Sequence, residues 1–507
     1  MKKFLKTSFV NFSRWVSPAL LGTILVALIS GYILFVPPIH GLADNGDFYR
    51  SILSNGIYRL PTSYSQYSDY VITKFGIMQY FNENNVSVLS SQTLFIQIAL
   101  FLNKLFYSKT IFTIQFMGLV YYLFYLGGIY LLINALVHPF RKLKHYFLAL
   151  LIVLIFADSA YTLYFNSFFA DSAYTLYFNS FFAEPGMLVL MVYICAAIIS
   201  LARNVYSKRW PMITLFFVST VLLITNKQQN APLALSFGVV AIGIMFLPHF
   251  KARRMATALG ILIVLLSGIG IYKSIGSEIV GANTFQTFSH GTLLETGDPT
   301  KKIERGGVDG QFALMRNENY YSKDYATLDP SSPYVEKHLM KKTGFGWIMR
   351  YYLANLKQFN NLLDLAAKDI TAVQPRAVGD FVRGSHHKPG EQVKYFTLYS
   401  SLVGAFFPGK YAFDCLLAVG FIAVYSVGLY LDFKSNRYMG ILRFFLIFGL
   451  MTIVVFVPIV SIIGDGDADL AKHLFLIPIS LNMSLLIFVS DLINHTLWNT
   501  KGNKADV

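Results

Sequence analysis

A chain of 507 residues that is 55% hydrophobic and only 14% charged falls well below the roughly 25% charge of an average soluble domain. Several apolar runs reach the roughly 20 residues a bilayer crossing needs, so the composition excludes a soluble globular protein. The net charge of +15 would suit nucleic acid, but the basic residues form short clusters between apolar runs. That is the pattern of membrane orientation signals, and nucleic acid is set aside as a partner.

Lys2, Lys3, Lys6 and Arg14 place the N-terminus in the cytoplasm by the positive-inside rule. A first span is expected over 18–36. It is too long, and too poorly followed by small residues, for a removable signal peptide. It exits into Asp44-Asn45-Gly46-Asp47-Phe48-Tyr49-Arg50, within an outer loop over 39–108. That loop closes on Leu94–Leu102 with Asn103 and Lys104, which suits a helix lying in the membrane interface. Span 2 (110–136) returns to Arg141, Lys142 and Lys144, and span 3 begins near Tyr146.

Residues 157–169 are then repeated letter for letter at 170–182. A perfect unit this short reads as a recent tandem duplication, since solenoid units are longer and diverged. In helical form 13 residues would turn the downstream chain by roughly 220° and lengthen the segment by about 20 Å. Both copies therefore cannot dock alike: the first keeps its junction to span 3, the second its junction to Glu184-Pro185 and span 4.

Spans 4 (185–202), 5 (211–225), 6 (231–249) and 7 (255–273) come next, with Arg203, Lys208, Arg209, Lys251, Arg253 and Arg254 on the inner side. A long outer segment, 274–408, carries turn signals such as Gly297-Asp298-Pro299 and Asp329-Pro330. It also holds a helix candidate over 346–367 and an aromatic stretch, Tyr395 to Phe407, suited to lie along the membrane. Span 8 (411–432) goes in to Lys434, Arg437 and Arg443; span 9 (444–463) comes out, and span 10 (474–495) ends inside. The fold class expected is an all-α polytopic membrane protein of about ten spans with both termini cytoplasmic. Its parts are 1–273 (spans 1–7), an extracytoplasmic cap segment over 274–408, and 409–507 (spans 8–10). Cys195 and Cys415 both fall in spans, which gives no disulfide framework and no zinc spacing.

The candidate chemistry lies in the outer loops. Asp44 and Asp47 stand three apart across an Asn-Gly turn. Either carboxylate could act as a general base, or the pair could hold a divalent cation such as Mg or Mn; the plainer alternative is a solvated turn with Asp capping backbone N–H groups. Asp465, Asp467 and Asp469 resemble the start of a calcium loop without the rest of its pattern, and a solvated loop is the alternative. Lys472 and His473 at the head of a span are costly unless they meet an anion or a carboxylate. In Asn226-Lys227-Gln228-Gln229-Asn230, Lys227 could bind a lipid phosphate as a point charge, and the amides of Gln228 and Asn230 suit sugar hydroxyls; a short hairpin connection is the plain reading. Asp158 or Asp171 with Glu184 could form a second acidic element, while most Tyr and Phe of the repeat suit an interfacial belt. His290, His386, His387, Arg376 and Arg383 show no ligand spacing and read as surface residues. No phosphate-cradling loop or Ser nucleophile elbow appears.

An acidic loop directly after the first span, with further polar loops on the same side, resembles the GT-C glycosyltransferases. Within them the chain is similar to bacterial surface-glycan hexose transferases of the WsfD type. The matching stretches are Ala43-Asp44-Asn45-Gly46-Asp47-Phe48, Tyr177-Phe178-Asn179-Ser180-Phe181 with Glu184-Pro185, Lys227 to Pro232, Phe285 to Tyr321, and Gly464 to His473. The resemblance implies a polyprenyl-phosphate-linked hexose donor, a surface polysaccharide or teichoic-acid-type acceptor, and inverting displacement on the outer face of the plasma membrane. It implies Asp44 or Asp47 as base, and Arg50, Lys227, Lys472 and His473 at the donor phosphate. It also implies Asn179, Glu184, Gln228, Asn230, Asp465, Asp467 and Asp469 at the substrates. Partners would be a cytoplasmic-side lipid-phosphate glycosyltransferase and a flippase, besides membrane lipid. The rival readings are a lipid-linked repeat-unit polymerase or ligase and a non-enzymatic lipid-glycan flippase. The duplication departs from the family pattern, and a slipped second copy would impair the enzyme unless one copy loops out.

Overall fold

The structure is a computed structural model that describes residues 13–61, 68–80, 89–158, 176–248, 250–294, 297–321, 326–371 and 378–498. Among these residues seven helices are long and apolar enough to cross a membrane. They are Pro18–Phe35, Gln115–Val137, Glu184–Ala202, Arg253–Lys273, Tyr411–Lys434, Met439–Asp465 and Leu476–Ile493. Three shorter apolar helices, Leu143–Phe156, Trp210–Asn226 and Leu233–Phe246, fall where the other spans were expected. The chain is a polytopic helical membrane protein. Gln92–Phe106, the stretch expected at the interface, is also a helix, and its Leu94, Ile98, Phe101 and Leu105 point outward.

Glu184–Ala202 is the central helix, buried along nearly all its length. It packs against Gln115–Val137, Trp210–Asn226 and Met439–Asp465. Its run Cys195-Ala196-Ala197 and Ser200 are small residues of the kind that let helix backbones approach closely within a bilayer.

One departure from a purely helical expectation is a three-stranded antiparallel sheet between the first two long helices, with β1 (Ile57–Arg59), β2 (Lys74–Ile77) and β3 (Ile111–Thr113) in that order. Ile57 pairs with Ile77, and Lys74 with Thr113. Because 111–113 are taken into this sheet, the second long helix starts at Gln115, later than the span expected from 110. The helix expected over 346–367 is two helices, Phe345–Ala354 and Leu356–Asp369. They break at Asn355, whose side-chain amide turns back to the Tyr351 carbonyl at 2.9 Å. The segment expected to lie outside, 274–408, has its own small core of Phe285, Phe288, Ile303, Phe312, Met315 and Leu339. In the aromatic stretch, Leu398–Phe406 is a helix with Leu398, Leu402 and Phe406 exposed.

Arg203 and Arg443, read from the sequence as inner-loop orientation charges, are instead buried. Both guanidiniums pair with Asp491, Arg203 at 2.8 Å, and the Tyr425 hydroxyl donates to the second carboxylate oxygen at 3.0 Å. Arg203 also donates to the Ser490 hydroxyl at 2.9 Å. Local charge counting cannot see this, because the acid that permits the burial is supplied by a helix late in the chain. The cluster ties four spanning helices together at the end of Met439–Asp465 opposite Asp465.

Candidate functional site

Asp44 organises the first loop. Its carboxylate accepts from the backbone N–H groups of Gly46 at 2.7 Å and Phe48 at 3.2 Å, and it pairs with Arg59 of β1. The Asp44 side chain itself is buried. The capping role held open for this loop belongs to Asp44. The turn it fixes starts the short helix Phe48–Leu53 and leaves Asp47 projecting, with its side chain 52% exposed.

Three other segments converge on Asp47. Glu184 opens the central helix with Pro185 behind it, a position where the helix dipole favours an acid. Lys227 sits in extended backbone (φ −147°, ψ 140°) between Trp210–Asn226 and a 3-10 turn, Gln228–Asn230. Its ammonium reaches Glu184 at 3.1 Å. After Met439–Asp465 the chain turns at Gly466 (φ 64°), where a Cβ would run into the His290 carbonyl; only glycine fits that turn without strain. Asp469 comes next in the left-handed region (φ 49°), which Asp tolerates better than most residues. The short helix Leu470–His473 then delivers Lys472, buried, between Asp47 and Asp469, the latter at 3.1 Å. The Lys472 ammonium also lies over the Phe182 ring, 5.7 Å from its centre.

These groups line one cavity of about 440 Å³. Of the residues singled out in the sequence, Asp47, Arg50, Glu184, Lys227, Gln228, Asn230, Asp465, Asp469, Lys472 and His473 face it. Asp44, Asn179 and Asp467 do not. Asn179 is buried, donating to the carbonyls of Leu34 at 3.1 Å and His40 at 2.6 Å, and it lies where Gly118 leaves room for its amide oxygen. Asp467 binds His290 at 2.8 Å. His290 is therefore a strut from the outer segment to the Gly466 turn, and the surface reading of it is corrected. Asp158 accepts from the Ser400 N–H at 2.9 Å and hydroxyl at 2.8 Å, so it does not join Glu184. Asp171 and Arg376 lie outside the described residues.

From its charged end the cavity continues along apolar side chains of the spans, including Leu233, Ile453, Phe456, Val457 and Val460. Between Asp465 and Thr452, both in its lining, the Met439–Asp465 helix rises about 20 Å.

Sequence reasoning missed several residues here. Gln92 donates to the carbonyls of Phe181 at 2.7 Å and Phe182 at 2.8 Å, pinning the end of the second repeat copy. Tyr321 receives a hydrogen bond from Arg50 at 2.8 Å across 271 positions of sequence. Asn283 and Gln286 line the cavity from the helix Ser277–Thr287. Their sequence signal is a three-residue spacing on one helix face, and Gln286 also falls in the matching stretch Phe285 to Tyr321.

The electrostatics are those of an interlocked charge cluster. Burial pushes Asp47 up, but the Lys472 ammonium, with Lys227 and Arg50, outweighs it and holds the carboxyl below its ordinary value. Burial likewise pulls Lys472 down, yet Asp47 and Asp469 hold its pKa above the ordinary lysine value. Burial, reinforced by Lys227 and Lys472, pushes His473 down to about 3, so its ring is neutral at neutral pH. It stands 3.6 Å from Asp465. The donor set does not fit a resident divalent cation: the Lys472 ammonium stands between the Asp47 and Asp469 carboxylates where such an ion would bind. Among the described residues no group of three or more His, Cys, Asp or Glu is placed to hold one.

Two solved structures of an archaeal oligosaccharyltransferase from Archaeoglobus fulgidus are similar to this chain at 12% identity. One is AglB in complex with an inhibitory peptide and a dolichol-phosphate, the other the apo form, each with a TM-score of 0.35. The likeness covers 96% of this chain but 52% of theirs, so the chain spans about half the length of those proteins. Among the curated proteins none matches. A family profile described as the YfdI N-terminal transmembrane domain matches in two pieces, residues 2–173 and 168–507. The pieces meet inside the tandem repeat, where the sequence departs from a single-copy pattern. Matched over nearly its whole length, the chain belongs to the YfdI N-terminal transmembrane domain family.

Proposed function

We propose that the protein is a membrane glycosyltransferase that moves a hexose from a polyprenyl-phosphate-linked donor to a surface glycan on the outer face. The observation that carries this reading is the shape of the cavity: a cluster of lysines, an arginine and acids at its mouth, continuous with an apolar trough along a spanning helix. A lipid carrying a charged sugar-phosphate head has that same division.

In this reading the isoprenoid lies along Ile453, Phe456 and Val457. Lys227, Lys472 and Arg50 meet the phosphate. Asp47 is the base, because the Asp44 carboxylate is committed to Gly46, Phe48 and Arg59. An acceptor hydroxyl attacks the anomeric carbon from the face opposite the phosphate. The new C–O bond forms as the bond from that carbon to the phosphate oxygen breaks; the hydroxyl proton passes to Asp47, and the lipid phosphate leaves. Preorganised cations at the leaving oxygen supply much of the stabilisation. The test is transfer by the purified chain from a hexosyl polyprenyl phosphate to a glycan acceptor, read by mass. Absence of transfer with every neutral hexose donor would overturn the reading.

The charge cluster sets an expected pH profile. A base acts while ionised, so the Asp47 contribution to donor kcat/KM is expected to be complete at neutral pH and to fall as pH drops through that carboxyl's depressed value. Donor phosphate draws Lys472 from Asp47 and so raises that carboxyl. The acid limb of kcat, which reports the donor-bound state, is therefore expected at higher pH than the acid limb of donor kcat/KM, which reports the free enzyme. His473, neutral down to about 3, contributes no limb near 6.5. Coincident limbs would sink the exchange of Lys472 between Asp47 and phosphate.

The duplication enters this reading differently from the slipped copy expected from sequence. The first copy supplies Asp158, which holds Ser400. The second supplies Leu176 to Phe182, all buried, with Phe181 and Phe182 in the cavity wall. Both sides meet at Tyr125, whose hydroxyl donates to the Phe156 carbonyl at 2.6 Å and whose ring packs on Phe178. Deleting 157–169 or 170–182 gives the same protein, in which Ser-Ala-Tyr-Thr joins Asp158 to Leu176. Those five steps reach up to about 17 Å. The deletion is expected to keep Tm and transfer rate unchanged; a large gain in rate would restore the impaired-allele reading.

A further inference from the structure

The cavity holds a set of uncharged polar groups that the proposed mechanism does not use. Asn283 and Gln286 face it from Ser277–Thr287, and Gln228 and Gln229 face it from the 3-10 turn directly after Lys227. All four side chains are half-buried. Their neighbours Asn226, Asn230 and Gln92 spend their amide N–H groups on the carbonyls of Ala183, Leu223, and Phe181 with Phe182. No such intramolecular bond engages the four free amides among the described residues. Asn226, 2% exposed and in the same lining, keeps an unpartnered amide oxygen.

The Asn226 amide oxygen is buried without a partner, which costs free energy unless a ligand completes it, and the four half-buried amides beside it in the lining are free to take up a ligand. Each amide offers an acceptor oxygen and two N–H donors, which complements hydroxyls that both donate and accept. Gln228 and Gln229 follow Lys227 directly in the chain, and Asn283 and Gln286 line the same cavity from another helix, so a sugar hanging from a phosphate held at Lys227 enters a cavity walled by these amides. The surrounding carboxylates Asp47, Glu184 and Asp469 would repel an anionic sugar.

We infer that Asn283 and Gln286, with Gln228 and Gln229, form the subsite that reads the hydroxyls of a neutral hexose on the donor. This rests on the lipid-phosphate donor reading above and adds to it which residues select the sugar.

The test measures binding of three lipids to the full-length chain in detergent: a short polyprenyl phosphate, the same lipid bearing a neutral hexose, and the same lipid bearing a hexuronate. Wild type is expected to bind the hexosyl lipid about tenfold more tightly than the bare lipid, the worth of one or two net hydrogen bonds, and to disfavour the hexuronate. The double variant Asn283→Leu/Gln286→Leu is expected to lose the hexose preference while keeping its affinity for the bare lipid phosphate and its elution profile. Equal wild-type binding of bare and hexosyl lipids would overturn the subsite and leave the donor reading standing, as would an unaltered preference in the double variant. Equal loss for both lipids would assign these residues to the fold. Binding of none of the three lipids by wild type would overturn both.

Discussion

Asp47→Asn is expected to lower kcat by a factor of about 10²–10⁴, the usual worth of a positioned general base, with Tm unchanged. Asparagine keeps the volume and one acceptor at a half-exposed position, and Lys472 retains Asp469 at 3.1 Å, so nothing buried is left unpaired. Asp44→Asn is expected to act through the fold. It removes the charge facing Arg59, whose side chain is only 12% exposed; breaking a buried pair from one side costs about 3–5 kcal/mol. The expected result is a lower Tm and poor yield, with the surviving folded molecules turning over. Thermal unfolding and single-turnover transfer on the same preparations separate the two. Loss of turnover in Asp44→Asn at an unaltered Tm would exchange their roles.

The second large effect is expected far from the cavity. Asp491→Asn leaves Arg203 and Arg443, both buried, facing each other without an acid. The cost is again about 3–5 kcal/mol, enough to remove most of a marginal stability. The contrast that identifies the cause is the triple change Arg203→Met, Arg443→Met and Asp491→Leu. It removes the whole ionic cluster for apolar volume and is expected to be near neutral or stabilising. If the triple variant unfolds as readily as Asp491→Asn, the cluster matters for its geometry rather than for charge balance. Transfer per folded molecule is expected to hold in either case, since the cluster lies at the other end of the Met439–Asp465 helix from Asp465.

The class, the positions of the apolar helices and most of the polar residues that line the cavity were legible in the amino-acid order. Hydropathy over about 20 residues is a local quantity and survives folding, whereas two of the flanking charges, Arg203 and Arg443, are drawn into the buried Asp491 cluster. Even the two sides of the tandem repeat kept the junctions their flanking sequence implied. Which members of each motif line the cavity and which act as struts depends on packing. Asp44 and Asp47 are equivalent by spacing, and only Arg59, arriving on a strand, separates them. Asp467 and Asp469 are likewise two apart, yet one meets His290 and the other Lys472. Lys472 finds Asp47 across 425 positions and Lys227 finds Glu184 across 43. Such partners arise from helix packing and not from spacing. A carboxylate's role depends on what neutralises and desolvates it, and for Asp47, Glu184, Asp467 and Asp491 that neighbour comes from a distant segment.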